Sequence, residues 1–482
     1  MMSKLRQIPC HIDGMDEIVG GFKSPSIILI AGTAGVGKTT MALQMLSNAA
    51  KAGEKTLYIP ITTEDSDRLK MYLSTFEFLD ESVEVHEINR PIAEKDPLST
   101  LIEMDNTISS AKPDRLVIDP ITPIGFGFVE QERRRFFYTL DSMVRESNSL
   151  VFLTGELMKD EIHNYVVSHL ADGIIYLSRT NQGMQTSNQM EILKMTGVKP
   201  PYSNECMTQK FNYLVNTRGF SAYPNLKYEE RAPEDNKVDT GIDEVDKMLN
   251  GGVPAGSSIL VGGEPGTGKT IMGWQFIQQG LENGENCAII TFYESVDQII
   301  KATGDLGWDL QSYIDEEKLS IITYDTENVC YAEYSNRISN IVEEKKPARL
   351  LIDGLVNVEI TIIDPVKRRG FLHSLVGYLK SHDVTTLFTT ELFGGAEKIR
   401  SKESSFIMDN VILLKQTDTE KGMKRQFQII KSRGTASEPL IKEYEIKEGG
   451  PAFQEVFVDS YSLSQNPLFP PQNHHLILSL QL

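Results

Sequence analysis

Two eight-residue stretches of this 482-residue chain carry the types and spacing that phosphate chemistry needs. They are Gly32-Thr33-Ala34-Gly35-Val36-Gly37-Lys38-Thr39 and Gly263-Glu264-Pro265-Gly266-Thr267-Gly268-Lys269-Thr270. Both fit the pattern G-x-x-x-x-G-K-[ST], in which glycines let the backbone curl round a polyphosphate with its N–H groups aimed inward. Lys38 and Lys269 would reach the terminal phosphates, and Thr39 and Thr270 would hold Mg²⁺. Thr40 is counted with the first loop. The reading is nucleoside triphosphate bound at two sites per chain.

Hydrolysis of that triphosphate needs an in-line water, cations to take up developing charge, and a base or water-positioning group. Asp119 and Asp353 each close an apolar run, Arg115-Leu116-Val117-Ile118-Asp119 and Arg349-Leu350-Leu351-Ile352-Asp353, the form of a carboxylate that orients Mg²⁺. Glu64 and Glu294 follow another apolar run in each half and are the candidate catalytic carboxylates, acting with Lys38 and Lys269. The blander role for these glutamates is capping the next helix, for which Asp67 and Asp297 would serve as well.

The elements that must position these groups repeat along the chain. A buried strand precedes each phosphate loop (26–31 and 257–262), and a helix follows it (39–51 and 270–282), ended by Gly53 and Gly284. Strands at 56–61 and 287–291 come next, then those ending in Asp119 and Asp353. Basic clusters follow, Arg133-Arg134-Arg135 and Lys367-Arg368-Arg369, which read as solvated helix faces. Apolar strands ending in Thr154-Gly155-Glu156 and Thr389-Thr390-Glu391 come after them. Strands alternating with helices predict an α/β fold of two tandem P-loop domains with mostly parallel, doubly wound sheets. Strand signals at 173–178, 410–414 and 426–431 predict additions at one sheet edge. The domains are expected at 1–225 and 238–460, with a linker at 226–237 and a tail at 461–482. The wider stretch 221–237 reads as exposed.

A net charge of −19 argues against non-specific attraction to nucleic acid or an anionic membrane. The four cysteines form no C-x-x-C pair, so neither a zinc site nor a disulfide framework is indicated, and a reducing cytoplasm is the expected compartment. No leader is recognisable, and no apolar run approaches the roughly 20 residues needed to span a bilayer. His474-His475 has no third ligand at a sensible spacing.

The repeat resembles the KaiC family of tandem RecA-like ATPases over about residues 12–455. Each half opens on a short segment closed by Gly-Gly (Ile12 to Gly21; Thr240 to Pro254) ahead of its phosphate loop. The second half adds Gly304-Asp305-Leu306-Gly307-Trp308-Asp309-Leu310, Glu316-Glu317-Lys318-Leu319 and Lys431-Ser432-Arg433-Gly434-Thr435 in place and in order. The resemblance implies ATP as nucleotide, a homo-hexamer of two stacked rings, and protein signalling partners. It also implies that Lys431 and Arg433, with Lys194 in the first half, reach a neighbouring protomer's nucleotide. In the first half Thr196 stands where the arginine would. KaiC-like domains carry paired glutamates after the second strand; read along the sequence, those positions are Thr63-Glu64 and Tyr293-Glu294, which implies slow turnover. The family's autophosphorylated Ser-Thr pair falls on Ser405-Phe406, leaving Ser405 as the candidate phosphosite. Two other functions fit the motifs: a RecA/RadA-like DNA-dependent recombinase or helicase, and a scaffold in which ATP holds a ring without turnover. The first would need basic or aromatic loops at a ring pore, but 181–188 and 418–425 are mixed in charge, so nucleic acid is not the expected partner.

Overall fold

The computed structural model describes residues 6–63, 66–124, 128–182, 185–196, 210–229, 236–324, 331–392, 399, 402–419, 422–434, 437 and 440–453. The chain divides into two compact units between Asn225 and Leu226. In the first unit the sheet runs Glu84–Val85, Thr56–Thr62, Arg115–Asp119, Leu150–Glu156, Ser26–Gly32, Gly173–Gln182, Gln185–Met195, Lys210–Asn216 and Gly219–Tyr223. Ile88–Asn89 adds to Thr56–Thr62 off this path. The second unit repeats the order: Leu319–Thr323, Cys287–Thr291, Arg349–Asp353, Thr385–Glu391, Ser258–Gly263, Asn410–Thr419, Gly422–Lys431, Ile441–Lys447 and Gly450–Phe453. In each, the first six strands are parallel and the last three join antiparallel.

The parallel strands are apolar because both of their faces are covered. Along Ser26–Gly32 every residue is buried, with Ile28 and Ile30 in one core and Ile27, Leu29 and Ala31 in the other. Ile259 and Val261 face one core of the second unit and Leu260 the other. Each phosphate loop leaves the carboxyl end of its strand and enters a helix, Lys38–Lys51 or Lys269–Glu282. The residue before each helix, Gly37 or Gly268, has φ of 94° or 92°, a conformation glycine adopts without strain.

Each central strand that ends in the aspartate begins with a buried arginine. Arg115 makes paired bonds to Glu54 (2.6 and 2.9 Å). Arg349 bonds Glu285 (2.6 and 3.2 Å) and Asp239 (2.6 Å), with its guanidinium over the Phe276 ring. The stretch expected to be an exposed linker is packed in part, while its Asn225, Lys227, Glu229, Asn236 and Lys237 are exposed. Ser221 lies in the strand Gly219–Tyr223, and Leu226 and Tyr228 lie against the second unit's core, where the Tyr228 hydroxyl meets His373 Nδ1 at 2.8 Å. Apolar Leu226 and Tyr228 are what the charge pattern masked. No helix among the described residues is long and apolar enough to cross a membrane. The tail expected at 461–482 and His474-His475 lie outside the described residues.

Candidate functional site

The second unit assembles its site at the carboxyl ends of the parallel strands, where an open α/β sheet binds ligands. Lys269 Nζ lies in the concavity of the phosphate loop and donates to Glu264 O at 3.0 Å; Thr267 Oγ1 donates to the same oxygen at 2.7 Å. Burial pulls the Lys269 pKa below the usual lysine value, while the charges of Glu391 and Asp353 oppose the fall. Thr270 Oγ1 donates to Asp353 Oδ2 at 2.9 Å, and Thr389 Oγ1 donates to Oδ1. Helix start and strand end, 83 residues apart, are thus joined at one carboxylate. Burial raises the Asp353 pKa, and the two threonines oppose the rise. This hydroxyl–carboxylate pair is the oxygen donor set that Mg²⁺ favours.

Glu294 stands three residues beyond the strand partner of Asp353, Thr291, whose hydroxyl donates to its Oε2 at 3.0 Å. Burial, and then the charge of Asp353, push the Glu294 carboxyl above the ordinary glutamate value. Tyr293 beside it is 53% exposed and packs over Gly354, whose added Cβ would meet the ring at 2.9 Å.

The first unit brings the same backbone together with different side chains. Gly35, Gly37, Lys38, Thr39, Thr40, Tyr58, Pro60, Thr62, Asp119, Glu156 and Arg179 line a pocket of about 550 Å³. Lys38 Nζ donates to Thr33 O at 2.7 Å, and burial lowers its pKa against the opposing charges of Glu156 and Asp119. Thr154 Oγ1 donates to Asp119 Oδ1, as Thr389 does to Asp353. The other oxygen differs: Tyr58 OH donates to Asp119 Oδ2 at 3.0 Å. Ile289 holds the matching strand position in the second unit, two residues before the partner of the aspartate.

Sheet register also moves the paired-glutamate alignment. Pro60 pairs with Asp119, and Thr291 pairs with Asp353. Counting onward from these partners, Thr62 and Thr63 match Tyr293 and Glu294, so Glu64 falls one residue later. Glu64 itself lies outside the described residues. The sequence reading paired the two glutamates because their spacing is within one residue of that of the P-loop lysines.

Lys194, Lys431 and Arg433 stand away from their own phosphate loops, near the amino ends of the parallel strands. Lys431 pairs with Val411, the second residue of Asn410–Thr419, whereas the phosphate loop follows Gly263 at a carboxyl end. A one-residue bulge precedes each lysine at the same place, leaving Leu193 and Ile430 unpaired while the lysines stay in the ladder. Lys431 Nζ donates to the carbonyls of Ser405 (2.9 Å), Phe406 (3.2 Å) and Met408 (2.6 Å), and Arg433 Nη2 to that of Phe406 (3.1 Å). Lys194 Nζ similarly meets the carbonyls of Ser168 and His169, both at 3.4 Å. Ser405 is buried, with its hydroxyl donating to Lys402 O at 2.7 Å, while Phe406 is 59% exposed. The basic clusters bind locally: Arg134 pairs with Glu130, and Arg368 with Glu403.

Sequence reasoning missed Tyr58, and it missed two tyrosines behind the loops. Tyr213 OH donates to Val36 O at 2.7 Å, and Tyr444 OH donates to Thr267 O. The signal available was their equal 231-residue spacing to that of Lys38 and Lys269. Glu156 and Glu391 were seen as strand ends without a role; both face the loop lysine.

Comparison with known proteins agrees with this repeat. The model of the KaiC ATPase family matches residues 8–208 and 238–455. The chain is 26% identical over 480 residues to the circadian clock oscillator protein KaiC of Prochlorococcus marinus (strain MIT 9313), covering 94% of each. It is 27% identical over 471 residues to the circadian clock protein KaiC3 of a Synechocystis species, covering 92% of this chain and 91% of the relative. Against the circadian clock oscillator protein KaiC of Synechococcus elongatus it is 26% identical over 467 residues, covering 92% and 88%.

Proposed function

The chain belongs to the KaiC ATPase family, and on that footing we propose that it is a slow, Mg²⁺-dependent ATPase with two sites per chain. Its nucleotide state would set the state of a hexameric double ring in clock-type signalling, in keeping with its circadian clock relatives. The observation that carries the reading is the carboxylate of Asp353, joined to Thr270 at 2.9 Å beside Lys269 and Glu294. Thr270 and Asp353 would hold the metal, which neutralises phosphate charge when bound. Lys269 would release Glu264 O and turn to the terminal phosphate. Glu294, its proton affinity raised by burial, would orient a water and accept its proton.

The second site is proposed as the faster one. In the first half Thr62 and Thr63 stand at the glutamate positions, and Tyr58 occupies an oxygen of Asp119. Lys431 and Arg433 would complete the site of a neighbouring copy, a reading supported by their place at the amino ends of the strands. A trans arginine of this kind is worth about 10³–10⁵ in rate in related phosphoryl transfer. The absence of a second carboxylate at Tyr293 would account for the slow turnover proposed. Autophosphorylation at Ser405 is a lesser part of the proposal: its hydroxyl is buried and bonded to Lys402 O.

The test is phosphate release with Mg-ATP, with and without single-stranded DNA, in the parent, Lys38→Ala and Lys269→Ala proteins. Slow release that ignores DNA and falls most in Lys269→Ala is expected. Strong DNA stimulation would replace the proposal with a DNA-dependent motor, and tight binding without release would leave ATP as a ring scaffold.

A further inference from the structure

A guanidinium reaches the same phosphate-loop carbonyl in both units, but from different strands. In the first unit Arg179, seventh residue of Gly173–Gln182, donates through Nη2 to Gly35 O at 3.2 Å. Its Nε donates to Asn188 Oδ1 at 3.1 Å, across the strand pair where Arg179 and Asn188 face each other. In the second unit the seventh residue of Asn410–Thr419 is Gln416, whose Nε2 donates to Gly266 O at 2.9 Å. The arginine has crossed to the facing position: Arg425 pairs with Gln416, and its Nε donates to the same Gly266 O at 3.2 Å. Gly35 and Gly266 hold the same place in the two loops. Side chains have exchanged strands while the contact has stayed.

That carbonyl is a sensible place for a cation. A trans peptide is planar, with its N–H opposed to its C=O, so fixing the oxygen outward fixes the following N–H inward. In the second unit the inward side holds Lys269 Nζ, and the Thr267 N–H points there too, 3.3 Å from Glu264 O. Tyr213 and Tyr444 fix the next carbonyl of each loop, and these two have not exchanged places. A loop whose N–H groups are held in advance binds an anion with less ordering cost. A charged donor holds the carbonyl more strongly than a neutral one.

We infer that Arg179 and Arg425 are one positioning residue delivered from two strands, which sets each phosphate loop for the phosphates of its nucleotide. The inference rests on the proposed binding of nucleotide at both loops. The experiment uses the full chain carrying Lys269→Ala, so that the first site is read alone with a fluorescent ATP analogue and Mg²⁺. Arg179→Ala should weaken binding about tenfold, which corresponds to 1.4 kcal/mol. Adding Asn188→Arg, which puts the guanidinium at the facing position that Arg425 holds in the second unit, should restore affinity to within about threefold of the parent. The mirror pair, Arg425→Gln and then Gln416→Arg in Lys38→Ala chains, should show a smaller loss, about threefold, because Gln416 remains on the carbonyl. It carries the test if the first pair does not fold. Unchanged affinity in Arg179→Ala, or a loss that Asn188→Arg does not repair, overturns the inference while the parent still binds. A parent that binds no nucleotide overturns the proposed function itself, and the inference with it.

Discussion

Replacing Tyr58 by Phe should change how the first site responds to magnesium. The phenol donates to Asp119 Oδ2 at 3.0 Å, and Thr154 donates to Oδ1, so both carboxylate oxygens already have partners. Burial, with the charge of Asp119, raises the Tyr58 pKa far above the tyrosine range, so the group stays a protonated donor at working pH. A hydrogen bond to a charged acceptor contributes about 1.5–3 kcal/mol. A metal that draws on Oδ2 must displace it, so Tyr58→Phe should bind Mg²⁺ with nucleotide about tenfold to a hundredfold more tightly. Without metal the variant leaves that buried oxygen short of a donor, and its melting temperature should fall by about 3–10 °C. Mg-ATP should then recover more stability in the variant than in the parent. The assay is a magnesium titration of nucleotide binding in Lys269→Ala chains, with thermal melts in parallel. Equal magnesium dependence in parent and variant, within about twofold, would refute the reasoning.

Four further outcomes are expected. Glu294→Gln should lower phosphate release from the second site by about 10²–10³-fold while ATP binding holds, measured in Lys38→Ala chains. Because the Glu294 pKa is raised, its carboxylate is lost as pH falls through a value above that of an ordinary glutamate. The acid limb of kcat/KM should therefore lie on the alkaline side of 4.5 and vanish in Glu294→Gln. Arg433→Ala should lower release from the second site by about 10³-fold, and mixing these chains with Lys269→Ala chains should recover activity, since each supplies what the other lacks across an interface; no recovery would count against a trans role. Arg349→Leu strands Glu285 and Asp239 and should cost about 3 kcal/mol, the low end for a broken buried pair because both acids are partly exposed, as read by denaturant unfolding.

Much of the framework was legible because its causes are local. Glycines at the loop and helix ends, together with unbroken apolar runs such as Leu116-Val117-Ile118, mark elements wherever they fall in a chain. Their recurrence at near-constant spacing exposed the duplication. The site chemistry was less legible. Spacing along the chain paired Glu64 with Glu294, while the ladders that join Pro60 to Asp119 and Thr291 to Asp353 shift that match by one. Leu226 and Tyr228 sat in a charged stretch that read as exposed, and they pack, half-buried, against the second unit's core.

By itself the sequence determined two phosphate loops, the aspartate at the end of each central strand, and a twice-built parallel sheet, since each follows from neighbours in the chain. Only the tertiary structure decided which side chain meets each aspartate and each loop carbonyl. Tyr58 lies 61 residues from Asp119, and Arg425 lies 159 from Gly266. Contacts across such distances are set by strand order and register, and a single residue of shift or an exchange between facing strands redirects a side chain without altering any local pattern.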